Sequence, residues 1–190
     1  MSSKSPEVNK ILATYFSPLI VRFLDQENTK VVVIGRGGYK AASPALRRMG
    51  IDVDAWPVAP AGLFVVEERS VYLRSVDAMT VVHEFGHALD LALGGESYNS
   101  GRDPRVRSAY AAAKAFVTPY AASGLDEWFA EGVRAVVEAN VPTSPWPMVT
   151  RERFRKIDPH GFDVISELIA EAGSRARFEP GEQIGFRFAS

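Results

Sequence analysis

From Asp77 to Leu93 the sequence reads DAMTVVHEFGHALDLAL, a helical pattern stopped by Gly94 and Gly95. Val81, Val82, Phe85, Ala88, Leu89, Leu91 and Leu93 make it apolar on most sides, and such a helix belongs inside a core. The same helix carries His83, Glu84 and His87. Polar side chains at those positions need partners, because a buried polar group without one costs roughly 1–3 kcal/mol. The fold must therefore wrap its other elements around a histidine-bearing helix and satisfy it.

His83 and His87 are four residues apart, so on a helix they project from one face, one turn apart. Two imidazoles so placed can bind one zinc ion. Glu84 is rotated by about 100° around the axis, which keeps it off the metal but within reach of a water beside it. H-E-x-x-H thus supplies two ligands and a general base together. The competing reading is a pair of partly buried structural histidines. The chain has three histidines and two of them fall here, which favours the metal.

A catalytic zinc takes three protein ligands. The longer pattern H-E-x-x-H-x-x-G-x-x-H is absent, because Asp90 and Leu93 occupy its glycine and last histidine positions. A glutamate from a later helix is the other solution. Glu127 and Glu131 lie four apart in DEWFAEGVR, face the same way, and either could reach the metal. Trp128, Phe129, Val133, Val136 and Val137 show that this helix packs inward, against the reading of both glutamates as solvent-facing charges.

The chain has 190 residues, 46% of them hydrophobic, enough for one sizeable core in a single domain. Basic and acidic residues number 22 and 23, so there is no basic excess and no nucleic-acid partner is expected. The basic stretch TRERFRKIDPH is interleaved with acids and reads as a solvated helix face. With no cysteine, disulfides, thiolate zinc sites and a cysteine nucleophile are excluded. No secretory leader is read at the N-terminus, and apolar runs such as KVVVIG are too short to span a bilayer. A soluble protein is expected, cytoplasmic or exported without a leader, with no membrane partner.

Along the chain, residues 6–26 have helical spacing with Pro18 as a kink or break. KVVVIG (30–35) reads as a strand ended by GRGG, and KAASPALRRMG as a short helix closed by Gly50. Residues 51–75 read as two or three strands, including GLFVVEE and SVYLRS. After the 77–93 helix come an Ala-rich helix at about 104–116, a loop, and the helix LDEWFAEGVRAVVEA, whose start is signalled by Ser123 and Asp126 in S-x-x-D spacing. VPTSPWPM is a loop, RERFRKI and FDVISELIAEAG are further helices, and the tail from Ser174 lacks periodicity. Strands followed by helices mean α+β, with a sheet lobe over about 1–95, a helical lobe over about 96–175 and a tail over 176–190.

HEFGHALD, followed by a tyrosine seven residues before the first glutamate of EWFAEGVR, resembles the catalytic domain of the anthrax-toxin lethal factor. It is similar also to the proline-proline endopeptidases, relatives in the same class of zinc metallopeptidases with a glutamate as third ligand. The specific match covers roughly residues 78 to 138. The resemblance implies a zincin-like fold with a small twisted sheet, one Zn2+ held by His83, His87 and Glu127, and Glu84 as the base. It places Tyr120 where a phenol assists the developing oxyanion, and Glu131 and Asp90 at supporting positions. A ligating histidine normally passes its far N–H to a carboxylate or carbonyl, and Glu131 is the first candidate for that, Asp90 the second.

The function expected is hydrolysis of a peptide or protein substrate lying extended along an edge strand between Gly62 and Ser75. A catalytically weak, zinc-stabilised binding or effector module is the alternative. VVVIGRGGYK fails the dinucleotide and P-loop patterns, Lys40 standing where the third glycine belongs, and reads as a tight turn. His160, in DPHGF, reads as a turn residue.

Overall fold

A computed structural model describes residues 5–145 and 148–178. The described residues form an α+β fold in which a three-stranded mixed sheet packs against helices. Helices α1 (Pro6–Tyr15) and α2 (Pro18–Gln26) come first. Ser5 and Ser17 cap them by accepting the Val8 and Ile20 N–H groups, with a proline at the first helical position of each. Pro18 is therefore a helix start, not a kink. Strand β1 (Lys30–Val33) ends in the tight turn expected of GRGG, where Gly35 takes φ +52° and the Gly37 N–H bonds to Ile34 O. Two short helices, α3 (Tyr39–Ala42) and α4 (Pro44–Met49), are closed by Gly50 at φ +70°.

Residues 51–75 give two strands, β2 (Gly62–Val65) and β3 (Ser70–Leu73). The strand order is β1-β3-β2, with β3 parallel to β1 and antiparallel to β2. β3 is central and buried on both faces: Val71 and Leu73 enter the main core, while Tyr72 packs with Tyr39, Leu46 and Val65 under α3 and α4.

The main core is built around α5 (Ala78–Gly94), whose N-cap Asp77 accepts the Thr80 N–H. Val81, Val82, Phe85 and Leu89 are fully buried, as a helix apolar on most sides requires. α5 packs against β2 and β3, against α1 through Phe16 and Phe85, and against α7 (Leu125–Val137). Helices α6 (Pro104–Ala112), α8 (Arg151–Ile157) and α9 (Pro159–Ser174) close the other side. On α8 Phe154 is buried and Arg151, Glu152, Arg153, Arg155 and Lys156 are exposed, the solvated face expected of this stretch. Among the described residues no helix is long and apolar enough to cross a membrane.

Three local expectations are corrected. α6 stops at Ala112, not near 116, because the chain turns extended at Ala113 and drives Val117 into the core. The S-x-x-D signal does not form a cap: Gly124 is the N-cap of α7, and the Ser123 hydroxyl instead donates to Tyr120 O, closing a 3-10 turn over Tyr120–Ala122. His160 lies exposed in the first turn of α9, after the capping Asp158, and not in a loop. Of the tail and the Pro-rich loop, residues 179–190 and Trp146 and Pro147 lie outside the described residues.

Candidate metal centre

Helix α5 sets His83 and His87 one turn apart, and α7 brings Glu127 against both. His83 Nε2 and His87 Nε2 are 3.2 Å apart. Glu127 Oε2 is 3.2 Å from the first and 3.4 Å from the second. A tetrahedral zinc with bonds of about 2.0–2.1 Å holds its ligand atoms about 3.3–3.4 Å apart. The three atoms thus match one face of such a tetrahedron. They are the group of ligand-type side chains that could hold a metal ion among the described residues. Glu127 Oε2 is also buried without a hydrogen-bond partner, as is His87 Nδ1. A buried carboxylate oxygen with no hydrogen-bond donor, set between two imidazole nitrogens, is a donor set that suits a cation, so the residues fit a metal.

The helices can approach this closely because of Gly86, inside the H-E-x-x-H run. A Cβ at that position would stand 2.8 Å from Ala130 Cα in the backbone of α7. Glu84 is buried beneath β2, close enough to the Phe64 main chain for its N–H to favour the charged carboxylate. A Cβ on Gly62 would lie 2.5 Å from Glu84 Cγ, so glycine is required there too. Burial raises the Glu84 pKa, with His83 and His87 pulling the other way.

Tyr120 stands beside the triad, about half exposed, its ring 5.6 Å from that of His83. Its phenol donates to Glu127 Oε1 at 2.8 Å. Burial and then the Glu127 charge push its pKa up, which keeps the hydroxyl protonated and a donor. Burial opposes the Glu127 charge, but the His83 and His87 imidazoles beside it hold the carboxyl well below the usual range. Burial likewise disfavours a charged His83. Glu127 and Glu131 outweigh it and raise its pKa to about 10.

Glu131 contacts His83: Oε1 accepts from His83 Nδ1 at 2.9 Å, leaving Nε2 to face Glu127. Asp90 does not. Its carboxylate accepts the Ser100 N–H at 2.7 Å and the Ser100 hydroxyl at 2.6 Å, which ties down the loop after α5 and leaves His87 Nδ1 without it. Three neighbours escape the sequence reading. Tyr98, in that loop, lays its ring 5.8 Å from His87 and 6.4 Å from Phe64, and nothing local marks it. Thr118 and Arg134 both bond Glu131. Arg134 had a signal, an E-x-x-R pair on an inward-packed helix.

No protein-family model matches the chain, and no curated protein matches it significantly. Fold and site together define an α+β protein whose buried helices converge a His-His-Glu group able to hold one metal ion.

Proposed function

We propose that this chain is a zinc-dependent endopeptidase, a single zincin-like domain in which His83, His87 and Glu127 hold one Zn2+. The observation that carries the reading is the near-equilateral triangle of ligand atoms, 3.2, 3.2 and 3.4 Å on its sides. A buried glutamate that is not a ligand stands next to it on the same helix. A structural zinc is closed by four protein ligands. Among the described residues three ligand-type side chains converge, with Glu84 on the same helix and the Tyr120 phenol bonded to Glu127 beside them.

Zinc, when bound, acts as a Lewis acid that acidifies water and polarises a carbonyl. Glu84 takes the proton of the attacking water and passes it to the leaving amine, and a burial-raised pKa suits a group that must both accept and return it. Tyr120 turns its hydroxyl from Glu127 Oε1 to the developing oxyanion, where one donor is commonly worth about 3 kcal/mol.

The substrate is a peptide or protein chain lying along β2. In the order β1-β3-β2 it is β2, and not the central β3, that offers an edge within residues 62–75. Ala61 O bonds back to the Arg74 and Ser75 N–H groups, so with a period of two the main-chain groups of Gly62 and Phe64 point away from β3. Gly62 lies directly against the Glu84 side chain, which sets this edge beside the proposed base.

The test is digestion of a diverse peptide library by the zinc-loaded protein, read by mass spectrometry, with Glu84→Gln as the blank. Cleavages that vanish in the variant, while its zinc content stays at one ion, support the peptidase. Zinc binding with no cleavage above the blank would leave a zinc-stabilised binding module instead.

A further inference from the structure

Glu131 sits at the centre of a closed set of hydrogen bonds. Oε1 accepts from His83 Nδ1 at 2.9 Å and from Arg134 Nε at 3.0 Å. Oε2 accepts from Arg134 Nη2 and from the Thr118 hydroxyl, both at 2.7 Å. The two Arg134 bonds form a fork across the carboxylate, the geometry that fixes its plane. Glu131, Arg134 and Thr118 are all at least 95% buried. The Thr118 oxygen also accepts the Ala121 N–H at 3.2 Å, inside the turn that carries Tyr120.

A buried ion pair is a poor device for stability, since apolar residues of similar size commonly hold a fold as well. What this arrangement does supply is direction. With four donors on its two oxygens, the carboxylate cannot rotate without breaking all of them. The His83 ring bonded to it is then fixed with Nε2 aimed at His87 Nε2 and Glu127 Oε2.

We infer that Arg134 and Thr118 are positioning residues of the metal centre. They lock the Glu131 carboxylate, which locks His83 as a ligand, and Thr118 suspends the Tyr120 turn from the same carboxylate. The inference rests on the reading of the triad as a metal site. Neither residue touches the metal position, so both act through Glu131 on how tightly the ion is held.

The experiment measures zinc affinity by competition with a chromophoric chelator, for the full chain and for Arg134→Met, Thr118→Val and Thr118→Ser. Melting of each metal-free protein is followed in parallel. Loss of a group that orients a ligating histidine typically weakens binding by about 10–100-fold. We expect that range for Arg134→Met, a loss near its lower end for Thr118→Val, and affinity close to the parent for Thr118→Ser, which keeps the hydroxyl. Should Arg134→Met not fold, the valine–serine pair decides alone, because both leave the Arg134–Glu131 fork in place. A merely structural role would lower the metal-free melting temperature and leave zinc affinity unchanged, and that result overturns the inference. Failure of the parent protein to bind zinc would overturn the metal centre itself, and this inference with it.

Discussion

Glu84 and Gly62 are packed so closely that a side chain added at 62 must displace the Glu84 stem. The glycine leaves room for the Glu84 stem, and β2 covers the carboxylate. Gly62→Ala should therefore leave the proposed zinc ligands in place, while displacing the proposed base. We expect hydrolysis to fall by about 10–100-fold, in line with the effect of misplacing a catalytic group, measured as peptide turnover beside a zinc titration. Asp90 gives a prediction in pH. Burial raises its pKa from 3.8 to about 7 despite the two Ser100 donors. The folded state then keeps a proton that the unfolded chain releases, so this group's contribution is full below about 3.8 and is lost as pH rises to about 7. Urea unfolding across that window should show stability falling with pH in the parent, and a flatter profile in Asp90→Asn.

Among the elements, α5 and α7 bring the His-His-Glu group together because their backbones nearly touch at Gly86 and Ala130. Gly86→Ala should push the helices apart. Overpacking of this kind costs about 1–3 kcal/mol, seen as a lower melting temperature of the metal-free protein. It should also weaken zinc, because Glu127 moves away from the histidines. The far end of α5 is held from three directions. Arg175 donates to Leu93 O at 3.0 Å, Arg102 to Gly94 O at 3.3 Å, and Arg69 to Gly95 O. Cations at a helix C-terminus answer its exposed carbonyls and its dipole, and these fasten α9, the loop after α5 and the start of β3 to the site helix.

For the whole molecule, a centre assembled from α5 and α7 exists only when the core between them is formed. Metal binding at the proposed centre is then linked to folding. Free zinc at a thousand times its dissociation constant should add about 4 kcal/mol to stability, with a matching rise in melting temperature reversed by a chelator. Binding should also release protons, because burial lowers the His83 pKa but the two glutamates outweigh it, raising it to about 10 in the metal-free protein, and its Nε2 must be bare to ligate.

Much of this was decided locally and could be read from the sequence. The apolar period of 77–93, the paired histidines and Glu84 follow from residue order alone, because a helix turns four-residue spacing into a shared face. Helix starts were only partly legible: Ser or Asp followed by Pro opens a helix at 5, 17, 43, 103 and 158, each pairing a capping side chain with a residue that needs no N–H partner, but the same pair at Ser144 leads into no helix among the described residues. The choice between Glu127 and Glu131 had no local answer, since both lie on one face of one helix. How α7 crosses α5 sends Glu127 Oε2 to the two Nε2 atoms and Glu131 Oε1 to the far side of His83. Asp90 was drawn away from the histidines by a serine ten residues on, and α6 was ended early by the burial of Val117. Those outcomes depend on contacts between distant segments, where packing and desolvation outweigh local preference, and so tertiary structure alone decided them.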